Sequence, residues 1–194
     1  MRKIESLLEK IYERNPINGN YIIEVALTDY AGIFNDWDHA PYKRKDIHPE
    51  LLGFLEDSID DIPMPYNIDI CFYLAQETQN KDRELVISAW FKTFYTFYIE
   101  IEKAKIKSIV QHAIKYMIVS IGLLVFSYFS VLFKSSLIIY TLKEVVIVGG
   151  WVFLWEAIAK LIFERKTVVR VIKNYQRFIS ADISFRYSKH PQKL

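Results

Sequence analysis

A single cysteine, Cys71, stands in a chain of 194 residues, which excludes an intrachain disulfide. It lies in an apolar, strand-like run, where a thiol acts as a small buried hydrophobe rather than as a nucleophile. Glycine is scarce, with six residues and none spaced to cradle a phosphate. The histidines (His39, His48, His112 and His190) are scattered. No His-Glu-x-x-His, paired-cysteine zinc motif or nucleophile elbow occurs. Nothing in the sequence points to an enzyme, and no cofactor is implied. The first ten residues, Met-Arg-Lys-Ile-Glu-Ser-Leu-Leu-Glu-Lys, set acids inside an apolar pattern and lack a signal-peptide core, so the front of the chain is expected not to be exported.

Charge of one sign is missing from each half in turn. Residues 1–102 carry 10 Lys/Arg against 19 Asp/Glu, a net −9, whereas residues 103–194 carry 15 against 4, a net +11. An acidic front half argues against nucleic acid as a partner, because phosphate contacts need a basic face. The basic half surrounds the hydrophobic segments, where Lys and Arg meet anionic lipid headgroups.

What the chain does have is length in its apolar runs. Residues 116–133 form 18 uncharged positions, and at about 1.5 Å per residue such a helix covers roughly 27 Å of a ~30 Å hydrocarbon core. A second apolar stretch, 137–159, follows after Lys134-Ser135-Ser136. The pattern is that of a transmembrane helical hairpin over 116–163, with the lipid bilayer as its partner. Lys103, Lys105, Lys107 and Lys115 precede the first span, and Lys160, Arg165, Lys166, Arg170 and Lys173 follow the second, while the turn holds only Lys134. The positive-inside rule then places both termini in the cytoplasm.

The rest reads as a small cytosolic α+β domain over 1–102, of two or three strands with flanking helices. Ile4, Leu7, Leu8 and Ile11 predict an amphipathic helix over 3–14, ended by Asn15-Pro16. Residues 21–27 and 67–74 read as strands, and Pro49 opens a helix whose apolar face is Leu51, Leu52, Leu55 and Ile59. From about Asp82 the pattern is helical. Its dense aromatic run from Trp90 to Tyr98 suits packing on a sheet, or in part an oligomer contact. Residues 103–115 form a basic helical stalk. The segment 164–194 is basic and amphipathic, suited to the headgroup region or to packing on the front domain, where Ile183, Phe185 and Tyr187 would dock as an extra strand.

Two sets of residues are candidates for chemistry. In the second span, Lys143 and Glu144 interrupt the apolar run and Glu156 follows it, at a cost of about 2.5–3.5 kcal/mol per mid-depth charge. Lys143 can snorkel, and Glu156 can pair with Lys160 at i,i+4. Alternatively Glu144 faces a partner helix or a wet cavity, with Gly149 and Gly150 allowing close helix approach. In the front domain, Asp36, Asp38 and His39 share one loop after a strand, a place where sites often lie. They match no dedicated metal spacing, and turn formation and capping explain aspartates there as well. Lys43-Arg44-Lys45 is a small anion patch or a solvated run.

The order Ile33-Phe34-Asn35, Asp38-His39-Ala40-Pro41, Lys45-Asp46-Ile47 and Pro49-Glu50, then a double span with Gly150-Trp151-Val152-Phe153-Leu154-Trp155, resembles a family of small uncharacterised bacterial inner-membrane proteins. The resemblance covers residues 30–187, by order of features. It implies a cytosolic α/β body followed by two transmembrane helices, with Glu144 and Gly150-Trp151 at the family's acidic and Gly-Trp places, and it implies no activity. The expectation is therefore a membrane-anchored, non-enzymatic adaptor or sensor that self-associates and binds a cytosolic protein or ligand. The alternatives are an oligomeric membrane-permeabilising effector or channel-like protein, and a membrane-bound hydrolase using Asp36, Asp38 and His39.

Overall fold

The computed structural model describes residues 2–41, 45–75, 78–129 and 137–188, with the side chains of residues 2–4 and 137 left aside. Lys43 and Arg44 of the basic triplet, the Lys134 turn and residues 130–133 of the first predicted span lie outside the described residues. The elements run α1 (Arg2–Ile11), β1 (Tyr21–Ala26), a 3-10 turn (Tyr30–Ile33), α2 (Pro49–Asp61), β2 (Ile68–Ala75), α3 (Lys81–Phe129), α4 (Leu137–Ala159), a π-helical segment (Lys160–Glu164), α5 (Arg165–Ser180) and β3 (Ile183–Ser188). Two compact units result: residues 1–99 with 173–194, and residues 100–172.

The first unit is a mixed structure around a three-stranded, fully parallel sheet of order β1-β2-β3. β-Branched and aromatic residues make the strands, and Tyr21 pairs with Ile68 while Ile70 pairs with Ile183. Period-two alternation puts Tyr21, Ile23 and Val25 on the same face as Ile70, Phe72 and Leu74, all buried. Parts of α2, α3 and α5 cover that face. There Leu55 and Ile59 of α2, Phe91 and Tyr95 of α3 and Phe178 of α5 are buried, with the Tyr95 and Phe178 rings stacked at 4.5 Å. On the other face Glu24, Ser184 and Arg186 are exposed.

Most of the aromatic run of α3 is core: Trp90, Phe91, Phe94 and Tyr95 are buried, while Phe97 is exposed. The apolar stripe expected of the first helix is only partly used. Leu8 is buried but Ile11 is 70% exposed, because α1 is held by polar contacts, Tyr66 to Glu5 and Tyr12 to Asp61 at 3.1 Å. The second half of α5 belongs to this unit. Arg177 donates to the carbonyls of Ile59, Ile62 and Tyr66 at 3.1–3.2 Å, closing the carboxyl end of α2 with a cation, as the helix dipole favours. Burial lowers the Arg177 pKa and Asp60 opposes this.

The second unit pairs part of α3 with α4. Ala113 and Ser120 on α3, and Gly150 and Ala157 on α4, are buried small residues at seven-residue steps, the pattern of close left-handed helix packing. Ser120 Oγ donates to the Gly150 carbonyl at 2.7 Å. Two helices, one within Lys81–Phe129 and one within Ile138–Ser180, are long and apolar enough to cross a membrane.

Candidate functional site

The two groups of predicted site residues lie in different units. In the second, a Cβ on Gly150 would lie 2.9 Å from Leu124 Cδ2 and Cγ, whereas one on Gly149 would meet only Leu123 Cδ1 at 3.9 Å. Gly150 is thus the position of close approach. Glu156 pairs with Lys160 at 3.4 Å, and Lys160 also reaches Glu164 at 2.9 Å and sits 5.8 Å over the Tyr116 ring. Lys143 is half-buried and Glu144 is exposed.

In the first unit the aspartate loop is largely a folded turn. Asp29 accepts from the amides of Ala31 and Gly32 at the start of the 3-10 turn. Asp38 accepts from the amides of Ala40 and Asp46, both at 2.8 Å, and these two bonds hold its carboxyl below the usual range. His39 is exposed and does not join Asp36 and Asp38 in a ligand set: among the described residues no three His, Cys, Asp or Glu are grouped to hold a metal ion.

Asp36 belongs to a different feature. A groove of about 420 Å³ runs beside β1 and the first turns of α2. Three consecutive strand residues, 24–26, and Leu27 just beyond them line it, as befits an edge strand seen from its side. Leu51 and Phe54 of α2 form an apolar wall, and Asp36 and Glu50 join Glu24 as its acids. Pro49 at the first helical position and the His48 ring, whose Nδ1 accepts from the Glu50 amide at 3.3 Å, set where α2 begins and so fix Glu50 and Leu51. Phe54 is 47% exposed, and Trp37, next to Asp36, is 95% exposed.

Parallel α/β sheets commonly bind ligands at the carboxyl ends of their strands. Here, among the described residues, a hydrogen-bond network occupies that end. Tyr30 Oη and Tyr187 Oη lie 2.7 Å apart, Tyr187 donates to Glu84, and the Asn80 amide donates to Tyr30 Oη at 3.0 Å. Burial, then the Glu84 bond, pushes the Tyr187 pKa up. These groups satisfy one another, and the neighbouring cavity is about 270 Å³. The open sheet face carries a second chain of bonds, Arg186 to Tyr73 at 2.8 Å and Tyr73 to Glu24 at 2.5 Å. Burial and Glu24 push Tyr73 up to about 12.

No family model, curated protein or solved structure matches the chain. The functional reading rests on this geometry. Glu24, Glu50, Leu51 and Phe54 escaped sequence reasoning as site residues, since an edge strand is defined only by the sheet order. The one available signal was the acid run near an exposed tryptophan, Asp36-Trp37-Asp38.

Proposed function

We propose that the protein is a two-span protein of the bacterial inner membrane, with both termini in the cytoplasm, whose α/β unit binds a protein partner and catalyses no reaction. The observation that carries this reading is uncovered apolar surface. Only 11% of the apolar window in each long helix is buried. The core helix of a soluble protein hides such a surface; Val125, Phe126, Val152 and Trp155 leave it open, which lipid would cover. The Lys and Arg excess flanking both spans supports the orientation. The β1 groove, with its apolar wall and its three acids, is the surface this reading gives to a partner.

Reporter fusions test the reading. A fluorescent protein should mature at either terminus, alkaline phosphatase should be active only when fused at the Lys134 turn, and the chain should resist alkaline carbonate extraction. Active phosphatase at a terminus, or release by carbonate, would sink it.

Self-association is a second reading, favoured by Glu144. Its carboxylate is exposed on α4 among apolar residues and makes no ion pair among the described residues. In lipid such a group needs a partner. A defined oligomer in nanodiscs, dissociated by Glu144→Ala, is expected. A monomer would remove both this reading and the permeabilising effector that depends on it.

A further inference from the structure

The outer edge of β1 is open where the groove runs. Backbone groups of a strand alternate in direction, and the Ile22 amide donates outward, to the Glu13 carbonyl at 2.8 Å. Residues 24 and 26 therefore also point outward, while Leu27 points inward and donates to Tyr73 at 2.9 Å. Arg14 covers the start of the edge, opposite Tyr21. Beyond it, the amides and carbonyls of Glu24 and Ala26 have no backbone partner among the described residues.

We propose that an extended basic segment of a partner protein adds to β1 as a fourth strand. Strand addition takes affinity from main-chain bonds and specificity from alternate side chains. The free groups of Glu24 and Ala26 supply the bonds. The partner's side chains on the helix-covered face would meet Leu51 and Phe54, so they should be apolar. Those on the open face would stand beside Glu24, so they should be Lys or Arg, and Asp36 and Glu50 elsewhere in the groove add to the negative field that a basic segment meets. Among the described residues no Lys or Arg lines the groove to oppose them.

The same charges exclude the simplest alternative occupant. A second copy pairing through β1 would set Glu24, Asp36 and Glu50 against themselves. Like charges on an edge are a standard block to self-pairing, and they leave the edge open to a strand of opposite charge.

This inference rests on the reading of the α/β unit as a binding module, but its test stands apart from membrane topology. The full chain, in nanodiscs of zwitterionic lipid so that headgroups do not compete, is titrated with a labelled peptide alternating Lys and Val. A control peptide carries Glu for Lys. Binding is read by anisotropy, and amide exchange is read across residues 22–27. The basic peptide should bind and slow exchange at Glu24 and Ala26, and the acidic one should do neither. Asp36→Lys with Glu50→Lys, at two exposed positions, should weaken binding by at least about tenfold. Ala26→Pro, which removes an outward amide and no β1–β2 bond, should abolish it. No binding, binding of both peptides alike, or protection over residues 85–97 of α3 in place of β1 would overturn strand addition, whatever the reporter fusions say about topology.

Discussion

Asp38 uses both carboxylate oxygens on backbone amides, and its loop depends on the charged form. With the folded pKa held below the unfolded value near 4, its contribution is complete above that value and is lost as pH falls through the folded pKa. Asp38→Asn should therefore lower Tm at pH 6 and leave less difference at pH 3; an equal loss at both would contradict the assignment. Asp69 is the buried counterpart, accepting from the side-chain amides of Asn15, Asn18 and Asn20 at 2.5, 3.0 and 2.8 Å. Asp69→Ala leaves three donors without their acceptor and should cost roughly 1–3 kcal/mol in chemical denaturation. The residue types of both clusters are plain in the sequence, but their partners are not. An aspartate that shapes a turn and one that awaits a ligand read alike until the amides around them are placed.

Elements formed by local pattern were the legible ones. The strand expected over 21–27 and found over 21–26, the helix after Pro49 and the long helix expected from about Asp82 and found from Lys81 follow from β-branched composition, a first-turn proline and sustained apolar periodicity. The pairing of β2 with β3 was legible only as a docking strand. Its parallel sense depends on segments separated by more than a hundred residues, and no local pattern carries that. Gly150 shows what spacing can and cannot tell. Adjacent glycines mark close approach, yet only the helix register shows that Gly150 meets Leu124 while Gly149 has room. Gly150→Val should destabilise the detergent-solubilised protein by roughly 1–3 kcal/mol, and Gly149→Ala should change thermal unfolding little. Likewise Arg177→Met removes donors from three buried carbonyl contacts and should cost roughly 1–3 kcal/mol, with Arg177→Lys only partly restoring it because one ammonium does not reproduce the guanidinium fork.

At the scale of the molecule, the chain divides by charge and by hydropathy, but the division of the fold is different. The first unit takes residues from both ends of the chain, and the apolar segments sit within the β2–β3 crossover. The net charges of the two halves made a basic half around the apolar segments legible. They hid the fact that Arg177 and Arg186 belong to the acidic unit. A unit built from both ends requires that residues 1–99 and 173–188 share one side of any membrane the chain crosses, and this is the central claim.

Labelling of introduced cysteines on intact spheroplasts tests it most directly. Cys71 is buried, and burial pushes its thiol pKa up, so the native background should be low. Asp36→Cys and Ser184→Cys report the two parts of the unit, and Ser135→Cys reports the turn. An impermeant maleimide should label only Ser135→Cys until the membrane is opened, after which the other two react together. Labelling of Asp36→Cys and Ser184→Cys from opposite sides, or of either from outside, would contradict the account.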